Sequence, residues 1–116
     1  MNPEVLLSRI RVVLCRPSHP GNIGAVARAM KTMGLSDLYL VLPRQFPDPE
    51  ADTRATGAVD LLQRATVCDS LKTALAETSF AVAMSARLRD LGPAIGQPRE
   101  VVGRLLAEAA HGRVAM

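Results

Sequence analysis

An α/β fold with a largely parallel sheet and flanking helices is what this sequence predicts, and three observations predict it. Two short apolar runs, Ile10–Cys15, rich in β-branched residues, and Leu38–Leu42, are separated by a segment with helical apolar spacing. The apolar runs lack the polar alternation of a half-solvated strand, as expected for strands covered on both faces. Further short runs and helical pieces keep alternating to the end of the chain, the pattern of β-α-β units with crossover helices.

Met1–Ser8 reads as a short lead. Ile10–Cys15 is the first strand. Ser18-His19-Pro20-Gly21 forms a turn, and a helix runs from Ile23 to about Met33, where Gly34 suits a left-handed stop. Asn22 is the N-cap candidate, since its side-chain oxygen can accept from free first-turn N–H groups. Leu38–Leu42 is the second strand, stopped by Pro43. A proline-rich loop precedes a short helix over Glu50–Arg54, and Ala58–Ala65 is a second helical piece beyond Gly57. Thr66–Cys68 is a short strand, and Asp69 or Ser70 caps a helix over Leu71–Ala76. Phe80–Met84 is a further strand, followed by an irregular stretch with Gly92, Pro93, Gly96 and Pro98. Arg99–Ala110 is a helix with Leu105 and Leu106 on its apolar side. Val114-Ala115-Met116 begins another apolar run. A domain seldom stops inside such a run, so residues 1–116 read as the first part of one longer domain; a short terminal edge strand is the alternative.

With 116 residues, 48% of them hydrophobic and 22% charged, the chain can bury one core. It has no Trp, one Tyr and two Phe, too few for a single-strand binder built on aromatic stacking platforms. A net charge of +3 is compatible with a polyanionic partner. Cys15 and Cys68 read as buried free thiols, and neither they nor His19 and His111 have metal-ligand spacing. The amino terminus has no signal-peptide pattern and no apolar run is long enough for a membrane span, so a cytoplasmic protein is expected.

On the first long helix, Ile23, Val26, Ala27, Met30 and Met33 share one side. Gly24, Arg28 and Lys31 share an arc of roughly 60° on the other, at about 100° per residue. A first-turn glycine lets a ligand or another backbone come close, and an arginine one turn later can grip a phosphate in two-pronged fashion. On pattern alone the same arc also reads as a solvated polar face. In parallel sheets ligands collect at the carboxyl ends of strands. Two loops fall there: Ser18–Arg28, and Met84-Ser85-Ala86-Arg87-Leu88-Arg89. If they share a sheet edge, Arg28, Arg87 and Arg89 form a basic patch suited to a phosphate backbone. The glycine fingerprint of dinucleotide binders and the phosphate loop of nucleotide hydrolases are both absent.

Asn22-x-Gly24-x-x-x-Arg28 after Ser18-His19-Pro20-Gly21 resembles the first motif of the SPOUT (α/β-knot) RNA methyltransferases, and within them the TrmJ branch of the TrmH-type ribose methyltransferases. Supporting segments are Arg28–Leu35, Leu38–Pro43, Thr56-Gly57-Ala58-x-Asp60, Ser85-Ala86-Arg87-x-Arg89 and Pro98-Arg99-Glu100. The resemblance runs from about Ile10 to Met116, and its specificity lies in the ordered series. It implies a Rossmann-like first part of a knotted domain, a homodimer, and methyl transfer from S-adenosyl-L-methionine to a ribose 2′-hydroxyl of RNA, in this branch usually in a tRNA anticodon loop. By position, Arg28 matches the catalytic arginine on the RNA side, and Asn22 and Gly24 match the residues that shape its loop. Arg87 and Arg89 fall on the RNA side, and Met84, Ser85 and Ala86 match the segment against the cofactor. The family usually has Thr at the place of Met84 and an aromatic in the loop before Pro98; both are missing here. The family's Gly-Arg-Glu and Ser/Asn-rich knot segments, which hold most of the cofactor, would come after Met116. This implies a fragment inactive by itself with an incomplete cofactor pocket, and exposed sheet edges that favour self-association. A non-catalytic RNA-binding module or pseudoenzyme on the same half-domain is the other reading. No metal and no membrane are expected.

Overall fold

The computed structural model describes residues 2–84 and 98–116. Its elements run in the order α1 (Pro3–Ser8), β1 (Ile10–Cys15), α2 (Pro20–Met33), β2 (Asp37–Val41), α3 (Pro49–Ala55), a 3-10 turn (Thr56–Ala58), α4 (Val59–Gln63), β3 (Thr66–Cys68), α5 (Leu71–Leu75), β4 (Phe80–Ala81), α6 (Pro98–Ala109) and β5 (Val114–Ala115). The strands form one sheet in the order β3-β2-β1-β5-β4, with every pair parallel. The predicted architecture of a parallel sheet with flanking helices is therefore present.

The expected lead over residues 1–8 contains α1. Asn2 accepts from the Glu4 N–H at 2.8 Å, and Pro3 at the first helical position has its φ already set. The strand expected over Phe80–Met84 is only two residues long, although the Val82 N–H still donates to Ala115 O at 2.9 Å. Of the two cap candidates before α5, Ser70 serves, accepting from the Thr73 N–H at 3.1 Å. On α6, Leu105 is buried but Leu106 is exposed.

Ile10, Leu38, Leu40 and Val114 from the sheet meet Ile23, Ala27 and Met30 from α2 and Leu61 and Leu62 from α4 in one core. The final apolar run is not an edge strand. β5 lies between β1 and β4, and Val114 is fully buried. Its N–H donates to Arg9 O, and the Met116 N–H to Arg11 O, each at 2.9 Å. The edges are β3 and β4.

An ionic cluster of buried Arg11 with half-buried Asp37 and Arg113 holds β5 at the amino ends of the strands. Arg11 is 3% exposed. Its Nε donates to Asp37 Oδ2 at 3.0 Å, and its Nη1 donates to Ala74 O and Ala76 O at the end of α5. Its guanidinium lies 3.9 Å from the centroid of the Tyr39 ring. Arg113, one residue before β5, donates to the same Asp37 oxygen at 2.7 Å. Paired and hydrogen-bonded in this way, Arg11 can be buried inside a strand that otherwise reads as apolar.

Candidate functional site

The strand order reverses between β1, from which the chain proceeds outward to β2 and β3, and β5, which lies toward β4. A ligand crevice in a parallel sheet belongs at the carboxyl ends beside such a reversal. The loop from β1 into α2 leaves from that place. Arg16 turns the chain there with a left-handed φ of 50°, and its N–H donates to Val41 O at 2.7 Å. α2 then starts at Pro20, earlier than expected, because proline at the first helical position costs no hydrogen bond and presets φ. His19 takes the N-cap position with extended backbone and makes no side-chain cap. Asn22 is therefore not the cap. It sits exposed in the first turn, its N–H donating to His19 O at 3.1 Å.

The arc of Gly24, Arg28 and Lys31 does not face a single environment. Gly24 is buried against α3: a Cβ there would strike Ala51 O and would lie 2.9 Å from both Ala55 N and Arg54 Cβ. The close approach that this glycine permits is that of a neighbouring backbone. Lys31 donates to Asp60 Oδ1 at 2.9 Å, and Arg64 lies 3.5 Å from the other Asp60 oxygen. The Lys31 hydrogen bond, more than its charge, holds the Asp60 carboxyl below its ordinary value of 3.8. Met33, which helical spacing puts on the side of Ile23, Ala27 and Met30, is nevertheless 59% exposed at the end of the helix.

Arg28 remains exposed, and no described carboxylate lies within ion-pair distance of it. It lines a shallow depression of about 480 Å³ with Ala25, Ala29, Thr32, Met33 and Arg54. Arg54 is a cation that the sequence reading passed over. The signal for it was indirect: Gly24 lets α3 approach α2, and that approach brings Arg54 beside Arg28. Two cations over small side chains can hold a phosphate, and a guanidinium that stays charged cannot take a proton as a free base.

Of the residues matched to the cofactor, Met84 is 71% exposed beyond the short β4. The described residues do not enclose a cofactor pocket around it. Ser85, Ala86, Arg87 and Arg89 lie outside the described residues, and with them the proposed partner loop of Arg28. The cysteines are not buried as expected: Cys15 is exposed and Cys68 half-buried. They occupy one row of the sheet on either side of Val41. Two strand spacings put them about 9–10 Å apart, beyond disulfide reach. Among the described residues no group of His, Cys, Asp and Glu could hold a metal, and no helix is long and apolar enough to cross a membrane.

Comparison with known proteins gives this geometry a family. A tRNA (cytidine/uridine-2′-O-)-methyltransferase TrmJ from Sodalis glossinidius is 49% identical over 111 residues, covering 96% of this chain and 44% of that protein. The corresponding enzyme of Pectobacterium atrosepticum is 50% identical, with 46% of its length covered. The chain thus spans less than half the length of these curated relatives. Among solved structures, a probable methyltransferase from Bordetella pertussis Tohama I superposes with a TM-score of 0.86 at 45% identity, over 97% of this chain and 69% of that one. Residues 9–95, which include β1, the turn into α2 and Arg28, match the sequence profile of the SpoU rRNA Methylase family, and to that family the chain belongs.

Proposed function

We propose that this chain is the amino-terminal part of an RNA methyltransferase that modifies a ribose 2′-hydroxyl of tRNA, in the anticodon loop, and that acts in the cytoplasm as a homodimer. The observation that carries the reading is near-50% identity, across 96% of the chain, to relatives named as tRNA 2′-O-methyltransferases. The exposed Arg28, without a carboxylate partner among the described residues, supports it. S-adenosylmethionine supplies the methyl group.

In this reading Arg28 grips the phosphate beside the target ribose, orients the 2′-hydroxyl and offsets charge that develops on its oxygen. Its two-pronged fork does what a lysine ammonium cannot. Arg28→Lys, in an active protein that contains this chain, is expected to lower methyl transfer to tRNA by about 100-fold or more with an unchanged melting temperature. Near-normal turnover would remove Arg28 from catalysis. The open surroundings of Met84 favour a second reading, RNA binding without catalysis by this chain alone. Methyl transfer by the isolated chain would exclude it.

A further inference from the structure

The carboxyl edge of the sheet carries a second pair of arginines, away from the α2 face of Arg28. Arg16 follows β1 directly. Arg44 lies in the loop after β2, and its N–H donates to Pro17 O at 3.1 Å, so the two loops run side by side. Both arginines are exposed, and neither has an ion-pair partner among the described residues.

Two adjacent strand ends here are left-handed at non-glycine residues, Arg16 with φ 50° and Leu42 with φ 47°. Such backbone is costly and concentrates where a ligand is held. Hydrogen bonds from Arg16 N to Val41 O and from Leu42 N to Cys68 O, at 2.7 and 2.9 Å, tie the ends of β1, β2 and β3 together. Beside them lies an open depression of about 570 Å³ lined by Leu42, Pro43, Phe46, Val67, Cys68 and Asp69. Its apolar floor is solvent-accessible: Leu42 is 44% exposed and Val67 53%. Asp69 is the acid of this lining, and it follows β3, on the side of β2 opposite to Arg16.

We propose that this edge is a nucleotide-contact site on the RNA strand: Arg16 and Arg44 hold a backbone phosphate, and the base of that nucleotide covers Leu42 and Val67. A phosphate next to a flat apolar body is the chemistry of a nucleotide, and charge places the phosphate toward β1 and away from Asp69. The site rests on the RNA reading above. It concerns a nucleotide outside the reaction and needs no cofactor.

The test is binding of an unmodified tRNA transcript to this chain across a range of salt concentrations. For Arg16→Gln/Arg44→Gln the expected result is about tenfold weaker binding, with the salt slope reduced by about 0.7, one phosphate contact's worth on a single strand. Leu42→Asn suits the left-handed backbone and so keeps the fold. It is expected to weaken binding several-fold with an unchanged slope. Arg64→Gln, which removes an exposed cation just past α4, is expected to change neither. Wild-type affinity and slope in the double variant overturn the proposal, as does a wild-type chain that binds no tRNA. The methylation reading is scored separately, by Arg28→Lys turnover.

Discussion

Gly24 separates two meanings of a small residue. From the sequence it could admit a ligand or a backbone; in the fold Ala51 O, Ala55 N and Arg54 Cβ fill the place of its missing side chain. Alanine would add about 1 kcal/mol of helix propensity. Overpacking against a backbone that cannot rotate away costs about 3 kcal/mol, so the steric effect wins. Gly24→Ala is therefore expected to destabilise the chain by about 2 kcal/mol in urea unfolding, through displacement of α3. Unchanged stability would mean that α3 does not pack this closely. Arg28 is the opposite case: its helical position was legible, but its company was not. Arg54 is 26 residues away in sequence, and no spacing rule links a residue on α2 to one on α3.

At the scale of elements, periodicity located the strands and the helices from α2 onward to within a few residues, because their apolar spacing is a local property. It missed α1, although Asn2-Pro3-Glu4 carries cap, proline and acid in the order that starts a helix. It overextended β4, since an apolar run records burial and not the length of a partner strand. What holds β5 in place was not visible at all: Arg11, Asp37 and Arg113 come from three separate parts of the chain. Asp37→Asn keeps the shape but removes the charge facing two arginines, one of them buried. It is expected to cost about 2–3 kcal/mol. Hydrogen exchange checks this: the Val114 and Met116 amides, bonded to Arg9 O and Arg11 O, should lose protection more than the β1–β2 amides do. Equal loss throughout the sheet would mean that the cluster stabilises the fold globally and not β5 in particular.

For the molecule as a whole, the arrangement divides basic from open. Cations gather at the α2–α3 face and at the carboxyl edge of β1 and β2, whereas Met84, matched by position to the cofactor segment, stands exposed. Without surrounding walls a small ligand leaves most of its apolar surface in water and gains little from burial. The chain by itself is therefore expected to bind S-adenosylmethionine weakly or not at all. Low-micromolar affinity in calorimetry would show that the described residues understate the pocket.

Local signals in the sequence determined the α/β class, the parallel strands, the approximate bounds of the helices from α2 onward and, through an ordered series of motifs, the family. These depend on residues close in the chain, where hydrophobic period, proline and glycine act directly on backbone geometry. Only the tertiary structure decided that β5 enters the middle of the sheet, that Gly24 meets α3, that Lys31 is committed to Asp60, and that Arg28 shares its surface with Arg54. The physical reason is that strand order, close backbone approach and charge pairing are set by which distant surfaces meet when the core is buried.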